Sequence, residues 1–412
     1  MKVFGVNIDL KHSFWLVMDV ALRTAAAIAG SVLFIRVAGA EYYGKYQYIF
    51  SLSALGALIM LPGFNNGLLN SAANGTEGDF DAAAKYKFKF YPLYMAFFTV
   101  AATVMYALGK GWDIVWGFII AGVMGGLLAV LSGYQSYYPG KKDYKAMCLW
   151  NFLLALSSIV PGIIYIVCRA FNSKISVFGT CFGTLLWQGA ISYLLFRNVK
   201  NRFTNMARNS GLDKYSVNLS AMSIVGGAQG YLDQFIVGSF ISYSSLAYYN
   251  LAKRFFEVFK SIWGISQNYL QPRLTDKTWE TANKYFIKYL HLYAVILPGF
   301  ALIYLITPWL FTFFYGKEFV TSANYARLLL AVILVSVPNF YLESYFRAQE
   351  SHKDLWISRI TNLAMLGALV PMVYFWSVWG LISCRIITAL SGSIIMAIVF
   401  YKQAPSLQGA KR

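Results

Sequence analysis

Apolar runs of about twenty residues recur along the whole chain, each closed by a short cluster of charged or turn-forming residues. A helix of roughly 20 apolar residues crosses a hydrocarbon core about 30 Å thick. Twelve spans are expected on this basis: 13–37, 45–69, 87–108, 113–133, 147–169, 175–197, 216–240, 244–270, 286–311, 321–346, 356–376 and 378–400. Spans 8 to 10 carry more polar residues than spans 3 to 6, so eleven or thirteen are the alternatives. The opening stretch, Met1 to Lys11, runs into the first span without a small-x-small cleavage site, and that span is expected to be retained as an anchor.

Composition agrees with the pattern. Of 412 residues, 58% are hydrophobic and 13% charged, against roughly 25% charged in average soluble domains. The formal net charge is +18, which in a soluble chain would suggest nucleic acid. Its distribution excludes that. With a cytoplasmic N-terminus and alternating spans, 22 Lys or Arg fall in cytoplasmic segments or at the span ends beside them, Lys85, Lys87 and Lys89 included. The opposite side has six: Arg36, Lys45, Lys110, Arg169, Lys174 and Lys317. Basic residues accumulate on the cytoplasmic side of membrane proteins, so both termini are expected inside and the number of spans even.

The longest polar stretch, Arg197 to Tyr215, divides the chain near its midpoint. Two loose internal matches, 41–62 with 247–272 and 140–151 with 351–362, are offset by about half the chain. Internal repeats are common in transporters. The expected organisation is therefore all-α and polytopic: an N-terminal six-helix lobe (1–200), a cytoplasmic linker (201–215) and a C-terminal six-helix lobe (216–412). Every external loop is short, so any chemistry must lie within the bundle.

Charges inside the spans narrow the function, because a charge at the bilayer centre costs at least about 2.5–3.5 kcal/mol and normally faces a cavity or a partner. Asp19 and Arg23 are four apart and share a helix face, as an ion pair for packing or as an inward cationic site. Lys253, Arg254, Glu257 and Lys260 crowd span 8, where Glu257 is spaced to meet either Lys253 or Arg254, leaving two surplus cations for an anion. Asp233 in span 7 is either a structural partner or a protonatable carboxylate coupled to a proton or sodium gradient. Arg327, Arg359 and Arg385 occupy spans 10 to 12, with Arg359 near enough to the edge to snorkel. Glu343 and Arg347 form an i,i+4 pair in span 10, as a gate or a plain ion pair. Arg23, Lys253, Arg254, Lys260, Arg327 and Arg385 outnumber the embedded acids, an excess that suits a phosphate or pyrophosphate, which offers oxygens to several donors. Tyr231, Tyr243, Tyr248, Tyr249 and Tyr269 are candidates for stacking on sugars. The four cysteines (Cys148, Cys168, Cys181, Cys384) have no metal-ligand spacing, no cofactor is expected, and there is neither a P-loop nor a hydrolase or zinc-protease motif.

The segment 23–73, with Arg36, Gly39, Tyr43, Gly44 and Tyr46 joining two spans, resembles the first two helices of bacterial O-antigen and polysaccharide flippases. The stretch 233–255, "DQFIVGSFISYSSLAYYNLAKRF", resembles their seventh-to-eighth helix junction, with Asp233 before the turn and Tyr249 and Ala252 after it. The similarity in outline covers nearly the whole chain. It implies a member of the multidrug, oligosaccharidyl-lipid and polysaccharide (MOP) exporter superfamily, with two six-helix lobes around a central cavity in the bacterial inner membrane. It further implies movement of an undecaprenyl-pyrophosphate-linked oligosaccharide to the periplasmic leaflet, with Arg23 and Arg254 as leading phosphate or acidic-sugar contacts. Polysaccharide polymerase and chain-length machinery are the partners this would bring. "LPGFNNGLLNSAA" departs from the pattern in lacking the charged residue many relatives carry after the second helix, and twelve spans argue against the fourteen-helix lipid II flippases. A multidrug exporter of the same superfamily is the closest alternative; a membrane glycan-processing enzyme would need the extramembrane acidic loop that is missing.

Overall fold

A computed structural model describes residues 2–3, 6–7, 10–171, 176–209, 211–274, 278–349 and 351–404. The described chain is built of helices: α1 (Leu10–Ala57), α2 (Gly63–Asn74), α3 (Gly78–Phe88), α4 (Tyr91–Ala107), α5 (Trp112–Leu131), α6 (Tyr137–Gly140), α7 (Tyr144–Ala155), α8 (Val160–Ala170), α9 (Val177–Lys200), α10 (Leu212–Phe240), α11 (Tyr243–Leu274), α12 (Trp279–Tyr315), α13 (Val320–Ala348) and α14 (His352–Lys402). Two of them are each two spans joined without a loop. In α1 the backbone breaks at Gly39, with φ +83° and ψ 170°, a conformation open to glycine and costly for anything with a Cβ. In α14 it breaks at Ser377, with φ +53° and ψ −139°, where the sequence places the shortest external connection.

Divided at these breaks, and with α3–α4 and α7–α8 each taken as one crossing, the described residues form twelve helical segments of membrane-crossing size. Seven stretches meet the length and apolarity of a span outright, among them Phe14–Met60, whose 47 residues suffice for two crossings. Most expected boundaries hold to within a few residues, but span 2 continues past a short 3-10 turn (Leu58–Met60) and Pro62 into α2, the third crossing begins with α3 at Gly78 instead of 87, and α12 begins at Trp279 instead of 286.

The chain separates into two compact units, Met1–Phe235 and Ile236–Arg412. The stretch 201–215, expected as a linker between lobes, lies inside the first. There the segment after α9 is strapped onto the start of α3. The Asn205 carbonyl accepts from the Glu77 amide at 3.1 Å and the Ala207 carbonyl from the Gly78 amide at 3.2 Å. A Cβ at residue 78 would stand 2.2 Å from the Met206 carbonyl oxygen, so the strap closes only over glycine. The Glu77 carboxylate accepts from the Thr204 and Asn205 amides at 2.5 and 3.2 Å and pairs with Lys141 at 2.9 Å. Asp79 accepts from the Asn209 amide, Ser71 and Thr76.

Behind the strap lies an aromatic-rich core in which Phe64, Phe80, Tyr134 and Tyr138 pack with Leu68, Leu195 and Val199. The second unit has its own core, with Phe286, Tyr341, Tyr345, Phe346 and Phe400. It is pinned by Tyr341 donating to the Ala282 carbonyl at 2.7 Å and by the Trp279 indole donating to the Phe400 carbonyl at 2.9 Å.

Candidate functional site

Three short 3-10 turns interrupt the helices of the first unit: Leu58–Met60, Ser132–Ser136 and Leu156–Ser158. Irregular backbone at membrane depth persists where it is buried in protein or lines a cavity. All three turns here border the same cavity, of about 640 Å³, through Met60, Ser132, Gln135, Ser157 and Ser158. That volume is within the range of small-ligand sites.

The polar part of the rest of the wall comes from α1 (Arg23, Ser53), α2 (Asn65), α3 (Lys87), α7 (Asn151) and α9 (Gln188, Ser192), and alanines, leucines and other apolar residues of α1, α5, α7 and α9 supply the larger remainder. Its polar groups are held in place by one another. Asp19, 4% exposed, sits behind Arg23 and accepts from its guanidinium at 2.6 Å, while Asn151 donates to the other carboxylate oxygen at 2.9 Å. Gln188 donates to Ser157 at 3.0 Å, and Asn65 to Ser132 at 3.4 Å. Lys87 donates to the Asn65 side-chain oxygen at 2.7 Å and to the Ala129 carbonyl at 3.3 Å. Among the described residues the polar part of the wall thus presents two cations and several amides and hydroxyls, with the ring of Phe50 beside them and no Asp or Glu. Such a surface suits a ligand with an oxyanion and many hydroxyls.

Of the residues singled out in the sequence, Arg23 lines this cavity with Asp19 directly behind it. Asp233 is fully buried in α10 and accepts from the Gln234 amide at 2.7 Å. In the second unit, Lys253 is buried and Arg254 half-buried, whereas Glu257 and Lys260 are exposed. Among the described residues no ion pair joins Glu257 to Lys253 or Arg254. Helix spacing permits it, but Lys253 lies in the packed part of α11 while Glu257 has emerged from it. Arg327 turns to α12, donating from Nε to the Tyr304 carbonyl at 2.9 Å with its guanidinium over the Tyr304 ring, which is a packing contact. Glu343 and Arg347 form the expected pair at 2.7 Å on α13, and Arg385 is half-buried in α14.

Of the candidate tyrosines, the four whose side chains are described do not line the cavity of the first unit. Tyr249 is fully buried, Tyr231 exposed, and Tyr248 packs edge-on against Phe319. Tyr243 is half-buried, and the side chains of Tyr269 and Arg359 lie outside the described residues. Conversely, Lys87, Asn65, Gln135, Asn151 and Gln188 escaped sequence reasoning. Lys87 stands between Lys85 and Lys89 and reads as one more cytoplasmic charge, yet it is 1% exposed.

Comparison with known proteins extends this picture. Residues 141–324 match the family described as "Polysaccharide biosynthesis protein". No functionally curated protein matches the sequence. Among solved structures, an inward-facing multidrug-resistance MATE transporter of the MOP superfamily superposes with a TM-score of 0.67 at 12% identity, covering 96% of this chain and 99% of that one. An outward-facing MATE transporter of the same superfamily gives 0.64 at 14% identity, covering 96% and 95%. This chain has the fold of these MOP-superfamily transporters. A third match is a MOP transporter from Pyrococcus furiosus described as having a binding pocket of reversed polarity, with a TM-score of 0.59 at 14% identity, covering 95% and 94%. All three matches are multi-pass membrane transporters, and each covers nearly the whole of this chain.

Proposed function

We propose that this chain is a flippase of the MOP superfamily that carries an undecaprenyl-pyrophosphate-linked oligosaccharide from the cytoplasmic to the periplasmic leaflet of a bacterial inner membrane. The observation that carries this reading is the wall of the cavity, which holds Arg23 and Lys87 and, among the described residues, no carboxylate, with amides and hydroxyls that match sugar hydroxyls. A multidrug exporter of cationic compounds would need the opposite charge. The match to a polysaccharide-biosynthesis family over 141–324 supports the same substrate class. Arg254 and Lys253 are further anion contacts on this reading, and buried Asp233 is the group through which a proton or sodium gradient acts.

The test is chemical. Removing the protein from its cell should cause a lipid-linked oligosaccharide to accumulate on the cytoplasmic leaflet, identified by mass spectrometry of extracted lipids. Re-expression of the wild type clears it. Arg23→Ala, correctly inserted, should leave delivery to the outer leaflet reduced about tenfold or more, the scale of one lost charge-assisted contact. If no lipid-linked sugar accumulates on removal, the reading is wrong.

A further inference from the structure

The two cations of the cavity are not equivalent. Arg23 has a carboxylate 2.6 Å away, and Asp19 is itself fixed by Asn151. Arg23 and Asp19 together are electrically neutral, and their field falls off as that of a dipole. Lys87 is buried to 1% exposure with two neutral acceptors, Asn65 and the Ala129 carbonyl. Among the described residues no carboxylate lies within ion-pair distance of it. An ammonium has three protons to donate, and these contacts account for two.

Three other lysines of the first unit do meet carboxylates: Lys45 pairs with Glu41, Lys141 with Glu77 and Lys200 with Asp81. A buried charge without a counter-charge is costly to keep, so its retention in the wall of a cavity calls for a counter-charge that arrives from outside the chain. We propose that Lys87, rather than Arg23, sets the charge selectivity of this cavity, as the specificity-determining contact for an oxyanion on the ligand. Phosphate on a lipid carrier and carboxylate on an acidic sugar share that chemistry. The inference rests on the cavity being the substrate site described above, and it adds a residue and a division of labour. Asn65 is the positioning residue, holding the ammonium while leaving its charge uncompensated.

The experiment uses the full-length protein in nanodiscs and calorimetric titration with three probes: inorganic pyrophosphate, D-glucuronate and neutral D-glucose. Lys87→Gln should weaken binding of at least one anion by roughly ten- to hundredfold, the range for a lost hydrogen bond to a charged group, and leave glucose unchanged. Lys87→Arg should restore most of the anion affinity. Asn65→Asp keeps the side-chain volume and places a carboxylate where the amide oxygen accepts from Lys87. It should abolish anion selectivity without lowering thermal stability, so the outcome does not depend on how well Lys87→Gln folds. Loss confined to pyrophosphate points to the carrier phosphate, and loss confined to glucuronate to an acidic sugar; either supports the inference. Wild-type anion affinity in both Lys87→Gln and Asn65→Asp overturns it, as does a wild type that binds neither anion. Lys87-dependent anion binding in a protein whose removal causes no lipid-linked sugar to accumulate would sink the flippase reading and spare this one. Accumulation on removal together with Lys87-independent binding would do the reverse.

Discussion

The strap across the start of α3 depends on one buried carboxylate, and removing it should free the segment 203–209. Glu77 is 1% exposed and serves three donors: the Thr204 amide at 2.5 Å, the Asn205 amide at 3.2 Å and the Lys141 ammonium at 2.9 Å. A hydrogen bond to a charged group contributes about 1.5–3 kcal/mol. Lys141 is about one-third exposed and recovers water when its partner is gone, so its share is below about 1 kcal/mol. The 3.2 Å contact is the weaker of the two amide bonds. Glu77→Ala should then cost the strap about 3 kcal/mol, and Glu77→Gln, which keeps an acceptor but no charge, about 1–2 kcal/mol. Hydrogen exchange with mass spectrometry on the detergent-solubilised protein reads this directly. Peptides spanning 203–209 should exchange roughly a hundredfold faster in Glu77→Ala, with the cores of α5 and α9 unchanged. Burial by itself would raise the Glu77 pKa, but the Lys141 ammonium and the Thr204 and Asn205 amides outweigh it and hold the carboxyl below its ordinary value. A depressed carboxyl stabilises the folded state above its unfolded pKa and loses that contribution as pH falls through the folded one. The strap should therefore be tight at neutral pH and loosen only below the ordinary glutamate range, near pH 4.5 and lower. Exchange in 203–209 that is the same in wild type and Glu77→Ala at pH 7 would refute the reasoning.

Three other outcomes follow from single residues. Ser377 holds a positive φ that a Cβ disfavours, so Ser377→Gly should raise the thermal midpoint, by about 1 kcal/mol of relieved strain, measured by fluorescence-detected unfolding in detergent. Tyr341→Phe deletes the donor to the buried Ala282 carbonyl and should lower stability by about 1–2 kcal/mol in the same assay, with insertion and expression retained. Asp233→Asn should abolish the dependence of transport on an imposed proton or sodium gradient in vesicles; unchanged gradient dependence would leave Asp233 as a structural group.

Much of the architecture was legible in one dimension because the bilayer enforces it. A span must be apolar, long and hydrogen-bonded within itself, so its sequence is marked over some twenty consecutive positions. That is why the breaks at Gly39 and Ser377 and the ends of α5, α9 and α13 fall close to where hydropathy put them. The Asp19–Arg23 and Glu343–Arg347 pairs were also accessible, since helix spacing places residues i and i+4 together wherever the rest of the chain goes. The same rule failed at Glu257, because spacing says which residues are able to meet and not how deeply each is packed.

What only the tertiary structure decided is where polar groups from distant segments converge. Asn151 reaches Asp19 from 132 residues away, and the Asn209 amide reaches Asp79 from 130. No local pattern records such contacts. Lys87 shows the limit most clearly: beside Lys85 and Lys89 it is one more basic residue at a span end, and charge counting assigns it to the cytoplasm. Its burial arises because α2 carries Asn65, and the end of α5 the Ala129 carbonyl, up against it. The sequence by itself determined that this chain is built of membrane-crossing helices, and about how many. Packing determined which of its many cations stands uncompensated at the wall of a cavity, because desolvation and pairing are properties of a three-dimensional neighbourhood.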